Sequence, residues 1–412
     1  MSSLTVTLIL FSLLLLLLFL NVPLVVSIGL PTALIMLGSG MKVATLAQRT
    51  YASVDSFTLM AIPFFMLAGK LMEVGGMSKR IVRLADCLVG WMAGGLAHVI
   101  VVASAFFGAL SGSAAATTAA IGSTLIPEMK KRGYPADFVA GIQAVAGALG
   151  VIIPPSITMI MYGVCSSTSI GKLFMAGIVP GIVLALFLMV TIAYQAKKRK
   201  ISQMNTFTFK ELGAAFLDAI PALLVPTIIL GGIYGGIFTP TEAGAVAATY
   251  GFLAGAFWYK EINLQNIGNI MGGAIVNTVL VMIVVGASGA FSWLLTSAGV
   301  SSLLGKAISA IAGNKYIFLL VANLIFIFIG MFIESVAGIL IVTPILLPIA
   351  TSLGVDPVHF GIIMVVNLAL GLTTPPVGEN QYIAAAIAEI PFEEEVKASI
   401  PFLIAGFAAL AV

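Results

Sequence analysis

Apolar runs long enough to cross a bilayer recur along almost the whole of this sequence. The first is "SSLTVTLILFSLLLLLLFLNVP"; others lie near 22–40, 57–74, 96–127, 136–165, 173–195, 219–238, 241–259, 271–296, 316–350, 358–390 and 399–412. A helix needs about 20 predominantly apolar residues to span the hydrocarbon core. The gaps between the runs leave no room for a soluble domain. Only 8% of the 412 residues are charged, against about 25% in a soluble domain. The chain therefore reads as an all-α integral membrane protein. Its first run lacks a basic flank and a small-residue cleavage site, so it reads as a span and not a signal peptide. The last run reaches Val412 without a polar stop, and the chain is expected to end inside a helix. No basic stripe with interleaved aromatics points to nucleic acid. Cys87 and Cys165 form no metal-ligand or disulfide pattern and read as apolar fillers.

Two prolines in a row interrupt two of these runs, in "GVIIPPS" at 150–156 and "GLTTPPV" at 371–377. Aligning them reveals a repeat. At an offset of 221 residues, Pro127 matches Pro348, Gly133 matches Gly354 and Gly150 matches Gly371, while Pro154 and Pro155 match Pro375 and Pro376. No gap is needed. The chain divides into halves of about 1–200 and 201–412, an arrangement typical of secondary transporters. The turn after Pro127 carries Lys130, Lys131 and Arg132, whereas the equivalent "IATSLGVDPVHF" has no Lys or Arg. Under the positive-inside rule these turns face opposite sides, which makes the repeats inverted. The run Lys197-Lys198-Arg199-Lys200 serves as a further cytoplasmic anchor. Lys42 and Arg49 sit against this scheme.

The run 96–127 is too long for one straight span, and "LSGSAAATT" falls in its middle. Gly112 between Ser111 and Ser113 is poor helix interior. A re-entrant hairpin turning there fits better. By the repeat, 316–350 is a second hairpin entering from the other face, with its tip between Gly330 and Ser335. Each hairpin precedes a span, 136–165 or 358–390, broken at Pro-Pro. Irregular backbone at membrane depth is tolerated only in protein or along a cavity. Proline at a first helical turn costs little. The unwound residues offer bare carbonyls, which are hard ligands for a cation. The half-helices that follow offer free N–H groups to an anion. Four half-helix N-termini, near Ser113, Ser156, Ser335 and Gly378, are expected to converge on one midplane site. No Lys or Arg lies in these motifs, so dipoles, hydroxyls and co-bound cations would hold an anionic solute.

At these residues the chain resembles the large membrane subunit of tripartite ATP-independent periplasmic (TRAP) transporters. The resemblance is carried by "GALSGSAAATTAAIGSTLIPEMKKRGYPADFVAG", "GVIIPPS", "YGGIFTPTEAGAVAA", "MFIESVAGILIVTPILLP" and "HFGIIMVVNLALGLTTPPVGEN". It implies a sodium-coupled elevator carrier in the bacterial cytoplasmic membrane. It also implies a small four-helix membrane subunit and a soluble periplasmic binding protein that delivers an acidic solute, of the sialic acid or C4-dicarboxylate class. Glu379 departs from the pattern, which has an apolar residue after the Gly of the second Pro-Pro loop.

Combined with the repeat, this yields specific expectations. Repeat 1 has scaffold helices and an arm at 1–56 and a transport part at 57–200. Repeat 2 has the same at 201–270 and 271–412. About ten spans are expected, with amphipathic segments near 42–56, 205–218 and 261–270 along the membrane. Two sodium ions are expected, one per repeat. The first site draws on Ser111, Gly112 and Ser113 with Gly150, Ile153 and Pro154. The second draws on Gly330, Glu334 and Ser335 with Thr373, Thr374 and Gly378. The solute is expected at Ser113, Thr117, Pro155, Ser156, Ser335, Pro376 and Asn380. Such a site has few carboxylates, so it is near neutral when empty and positive when loaded.

Each residue also has a plainer reading. Ser111 and Ser113 could be helix-packing serines. Glu334, an acid in a long apolar run, binds sodium, carries a proton or braces the tip. Glu242 in "TPTEAG" satisfies a helix dipole. His98 and His359 are lone histidines with no paired metal ligand. A channel would need a continuous polar pore. An enzyme would need a Ser-His, paired Asp or His/Glu constellation, and none is visible. A self-contained ATP-driven pump would need a Gly-rich phosphate loop. A stand-alone sodium- or proton-coupled carboxylate carrier, working without a binding protein, is the alternative transporter.

Overall fold

In lipid a backbone must pair its own N–H and C=O groups, which leaves helices as the economical answer for so apolar a sequence. The computed structural model describes residues 2–20, 22–201, 207–300, 303 and 314–412, and among these every regular element is helical. The first half contains α1 (Ser3–Phe19), α2 (Leu24–Gly38), α3 (Val43–Val54), α4 (Ala61–Val74), α5 (Met77–Val89), α6 (Leu96–Ser111), α7 (Ala114–Lys131), α8 (Ala136–Ala146), α9 (Leu149–Ile152), α10 (Ile157–Ser166) and α11 (Ile170–Lys198). The second contains α12 (Phe209–Tyr234), α13 (Pro240–Leu253), α14 (Ile267–Ser297), α15 (Lys315–Gly330), α16 (Ser335–Ser352), α17 (Pro357–Gly371), α18 (Glu379–Ala388) and α19 (Phe392–Ala411).

Among the described residues, five helical segments are long and apolar enough to cross a membrane alone: Phe57–Val74, Ile170–Lys198, Phe209–Tyr234, Ile267–Ser297 and Ser335–Ser352. The pair Ala136–Ile152 and Ile157–Ser166 is long and apolar enough only when taken together, and it bends by 43° at the first Pro-Pro. Shorter apolar helices include Ser3–Phe19, Leu24–Gly38, Leu96–Ser111, Lys315–Gly330 and Pro357–Gly371. The count falls below ten because several apolar helices are individually too short to cross. The run 96–127 is not one helix: it breaks at Gly112–Ser113.

The 221-residue offset extends to the elements. α7 starts at Ala114 and ends at Lys131, and α16 starts at Ser335 and ends at Ser352. α8 and α17 start at Ala136 and Pro357. Gly133 and Gly354 both adopt left-handed φ, +84° and +74°, in the turns after α7 and α16. The Pro154–Pro155 and Pro375–Pro376 bonds are both cis.

α3 forms the expected amphipathic helix, with no buried residue of its own. The other two amphipathic segments do not form separate helices. Of 205–218, residues 205 and 206 lie outside the described residues, and the rest runs into α12, which continues unbroken to Tyr234. Residues 261–270 form a turn and then the first turn of α14. In each, apolar residues follow directly, and continuing the helix retains backbone pairing that a break would forfeit. α5 was not anticipated from the apolar runs, because it is strongly amphipathic. It packs on α12 and α6, where Arg80 and Arg83 meet Asp218 at 3.5 and 3.4 Å.

α14 packs against α2, α3 and α4, and α4 packs against α13. Helices from the two halves of the chain also pack on one another. α18 lies on α7 and α8, and α10 lies on α16. Buried Tyr162 of α10 donates its hydroxyl to the Pro357 carbonyl at 2.6 Å.

Candidate functional site

The first tip is built by a glycine C-cap followed directly by a serine N-cap. α6 ends at Ser111, and Gly112 turns the chain with φ +62°. A side chain there would be strained by that φ and would crowd the Pro155 carbonyl and Ile157 N, both 3.1 Å from the Cβ position. Ser113 caps α7, its Oγ accepting the Ala116 N–H at 3.4 Å. Ser111 Oγ and Thr117 Oγ1 are 2.9 Å apart, and Ile157 N–H donates to the Gly112 carbonyl at 3.3 Å. Gly150 has no space for a methyl because the Ser113 carbonyl and Thr117 Oγ1 abut it. The fold thus gathers Ser111, Gly112, Ser113, Thr117, Gly150 and Pro155. Ile153 and Pro154 complete the unwound stretch, but the Ile153 side chain packs toward Gly181 of α11, leaving its backbone as the candidate ligand. Ser156 is buried and caps α10, accepting the Met159 N–H at 3.3 Å.

The second tip has the same plan. Gly330 and Gly371 touch backbone to backbone: a methyl on Gly330 would lie 2.9 Å from the Leu368 carbonyl, and one on Gly371 2.5 Å from Gly330 Cα. Glu334 caps α16, its carboxylate accepting the Val336 N–H at 2.9 Å. Ser335 Oγ is buried and has no hydrogen-bond partner among the described residues. Thr373 and Thr374 both donate to the Leu370 carbonyl at 2.7 Å. Their protons are thereby committed, which leaves each hydroxyl oxygen only lone pairs to offer, the polarity a cation requires. Gly378 opens α18 with φ +58°.

Between the tips lies a cavity of about 660 Å³, a size suited to a small organic solute. One wall is Ser111, Ser113, Glu334 and Glu379; the facing wall comes from Pro23 and Leu24 beside α2, Met66 and Lys70 of α4, and Asn277 to Val284 of α14. Of the expected solute contacts, Ser113 lines this cavity; Thr117, Pro155, Ser156, Ser335, Pro376 and Asn380 do not. Asn380 instead reaches across the repeat, donating from Nδ2 to the Ala144 carbonyl at 3.2 Å. Pro376 is exposed elsewhere on the loop.

The cavity also carries more charge than expected. Lys70, Glu73, Glu334 and Glu379 all line it. Lys70 and Glu73 pair at 3.0 Å, and Glu334 and Glu379 are two further carboxyl groups on the lining. Lys70 and Glu73 were missed, although they are the only charges in the apolar run 57–74, and a charge in such a run marks a cavity wall. Two buried amides were missed as well. Neither end of the Gln143 amide has a partner among the described residues, and Gln381 donates to Ser399 Oγ at 3.0 Å while its Oε1 is left unpaired.

Residues 8–412 match the protein family described as "Tripartite ATP-independent periplasmic transporter, DctM component". The chain is 42% identical to YgiK of Salmonella typhimurium, over 95% of this chain and 91% of that one. It is 43% identical to the C4-dicarboxylate TRAP transporter large permease protein DctM of Pseudomonas aeruginosa, over 92% and 88%. The fold resembles the crystal structure of the Alcanivorax borkumensis YdaH transporter, with a TM-score of 0.64 at 15% identity, covering 89% of this chain and 86% of that one.

Proposed function

Because this chain belongs to the large permease subunits of the tripartite ATP-independent periplasmic transporters, we propose that it couples an inward sodium gradient to uptake of an organic acid by an elevator motion. Family membership makes it a multi-pass inner-membrane protein and a transporter subunit, not an enzyme. It serves secondary transport of an organic solute. What supports the finer reading is one observation: the first helix-turn-helix tip is packed against the unwound backbone of its Pro-Pro span, the second against the helix end that precedes its own, and both tips border one cavity.

Each contact is rich in oxygen. The first offers the Ser111 and Ser113 hydroxyls and the carbonyls of Gly112, Gly150, Ile153 and Pro154. The second offers Glu334, Ser335, the Thr373 and Thr374 hydroxyls and loop carbonyls between Gly330 and Gly378. Sodium is a hard ion, and unwound helices supply oxygen of this kind in transporters. One sodium at each contact would order tip against loop and raise affinity for the solute, and linkage makes that reinforcement mutual. The repeats act as inverted halves, with 96–127 and 316–350 as re-entrant hairpins. Hairpins and broken spans travel together, while 1–56 and 205–270 stay with the scaffold, and the cavity sits on the sliding face. A small four-helix membrane subunit would complete the scaffold, and a periplasmic binding protein would deliver the solute, of the sialic acid or C4-dicarboxylate class.

Proteoliposomes carrying the permease and its small subunit, supplied with the binding protein, test this. Uptake is expected under an inward sodium gradient without ATP, and neither without the gradient nor without the binding protein. Uptake that ignores sodium would refute the coupling. Robust uptake by the permease alone would identify a stand-alone carboxylate carrier. Bridging Val25→Cys of α2 to Ala337→Cys of α16, which line the same cavity, with a thiol cross-linker is expected to stop uptake. Undiminished transport by the bridged protein would rule out the elevator.

A further inference from the structure

One end of the first repeat gathers positive charge that the fold itself does not use. Three segments distant in sequence meet there. Tyr134, in the turn after α7, donates its hydroxyl to the Gly94 carbonyl at 3.5 Å. Gly94 in turn abuts the end of α11: a methyl on the glycine would lie 2.7 Å from Ala196 Cβ. Arg199, which caps α11, reaches Asp137 of α8 at 3.0 Å. This end carries both Lys130 to Arg132 and Lys197 to Lys200, so the positive-inside rule places it in the cytoplasm. Three acids here are already taken. Asp137 holds Arg199, Glu128 holds Arg132 at 2.9 Å, and Glu389 holds Lys130 at 3.6 Å. Lys131, Lys197, Lys198 and Lys200 are exposed, and none of them has an ion pair among the described residues.

An aromatic platform stands at the same corner. The Trp91 ring, three residues before Gly94, meets Phe207 edge-on with centroids 6.3 Å apart, and Phe207 meets Phe209 likewise at 4.7 Å. All three rings are exposed, Phe209 by 81%. The Trp91 indole N–H is committed to the Leu88 carbonyl at 2.8 Å, so what the ring offers is an apolar face. Such a cluster is unfavourable in water and suits the headgroup level of a bilayer. Apolar surface continues beside it, with Val190 and Tyr194 exposed on α11 and Phe216 and Leu217 exposed on α12.

We propose that this corner binds an anionic phospholipid of the cytoplasmic leaflet. Its phosphate is held among Lys197, Lys198 and Lys200, its glycerol rests on Trp91 and Phe207, and its acyl chains follow α11 and α12. Lysines that acted only as a solvated topology signal would have no use for the rings. A zwitterionic headgroup brings its own ammonium and gains little from lysines, whereas a net negative one gains from each. α11 closes the first half of the chain and α12 opens the second, so the lipid sits where the halves join.

Native mass spectrometry of the purified permease with its small subunit tests this, using dioleoyl phosphatidylglycerol against dioleoyl phosphatidylcholine. Phosphatidylglycerol is expected to bind about tenfold or more tighter. K197Q/K198Q/K200Q is expected to cut that preference to about twofold or less. K172Q, about 38 Å from Lys197 along α11, is expected to leave it unchanged. In nanodiscs, brominated phosphatidylglycerol is expected to quench tryptophan emission more than brominated phosphatidylcholine does, and W91F to remove the difference. The proposal is overturned if the two lipids bind alike, if the triple variant keeps the preference, if K172Q loses it equally, or if W91F leaves the excess quenching in place. Displacement of phosphatidylglycerol by millimolar inorganic phosphate would identify a soluble-anion site and overturn it too. So would a preference shown by the permease alone and lost with the small subunit, which would mark an interface between the chains. The wild-type preference needs no variant, so a poorly folding variant leaves the test intact.

Discussion

Gly371→Ala probes the second tip contact with a single methyl. The added carbon would lie 2.5 Å from Gly330 Cα and 2.6 Å from the Gly330 carbonyl carbon, whereas ordinary contact begins at 3.4 Å. Both obstacles are backbone, so no side chain can swing aside. The tip must retreat by about 0.9 Å, the difference between those distances. Overpacking of this kind costs roughly 1–3 kcal/mol, a loss that a fold of this size tolerates. Ion ligands are less forgiving, because sites need placement to within about 0.5 Å. The sodium concentration for half-maximal activation should therefore rise about tenfold or more, equivalent to about 1.4 kcal/mol. Gly213→Ala supplies the control: nothing lies within 4 Å of its Cβ position on α12, and alanine is the better helix former. The assay is sodium-dependent thermal stabilisation, followed by sodium titration of uptake. A folded Gly371→Ala protein with the wild-type sodium response would show that the Gly330–Gly371 contact does not hold the ion.

Ser113→Ala and Thr374→Ala should each weaken sodium activation before they affect folding; unchanged activation curves for both would place the ions elsewhere. Tyr162→Phe removes the 2.6 Å bond to the Pro357 carbonyl and should cost about 1 kcal/mol in denaturant unfolding, with the sodium response intact. Asn380→Leu should cost about 1–3 kcal/mol by leaving the buried Ala144 carbonyl without its donor; a selective loss of solute affinity instead would return Asn380 to the binding site.

What could be read from sequence was whatever a short stretch decides by itself. Ser111-Gly112-Ser113 is a helix stop followed by a cap, and Pro154-Pro155 cannot continue a helix, so both breaks were legible. The repeat let the second half inherit the reading of the first, and the bounds of α16 agree with those of α7. Lateral packing is a different matter. Nothing within "GENQYIAAA" says that Asn380 turns away from the cavity to Ala144, whereas Glu379 faces it. Adjacent helical residues point about 100° apart, and the neighbours that decide which one meets the cavity come from α8 and α14. Lys70 and Glu73 were overlooked for a related reason: their meaning depends on α4 facing the tips, which is set by its packing on α13 and α14.

The repeats clasp one another, and that has a consequence for how the protein is made. Asn380 completes the hydrogen bonding of Ala144, 236 residues earlier, and Lys130 Nζ donates to the carbonyl of Ala388, 258 residues later. Chains grow at roughly 5–20 residues per second, so the first of these waits lasts about 12–47 s. Throughout that interval α7 and α8 are already synthesised, yet the surface that α18 will cover has no occupant from this chain. Gln143, with no partner among the described residues even in the finished fold, sits in α8 through the same interval. The insertion machinery or lipid must therefore shelter the half-built first repeat, and a chain stopped short of Glu379 would never lose that dependence.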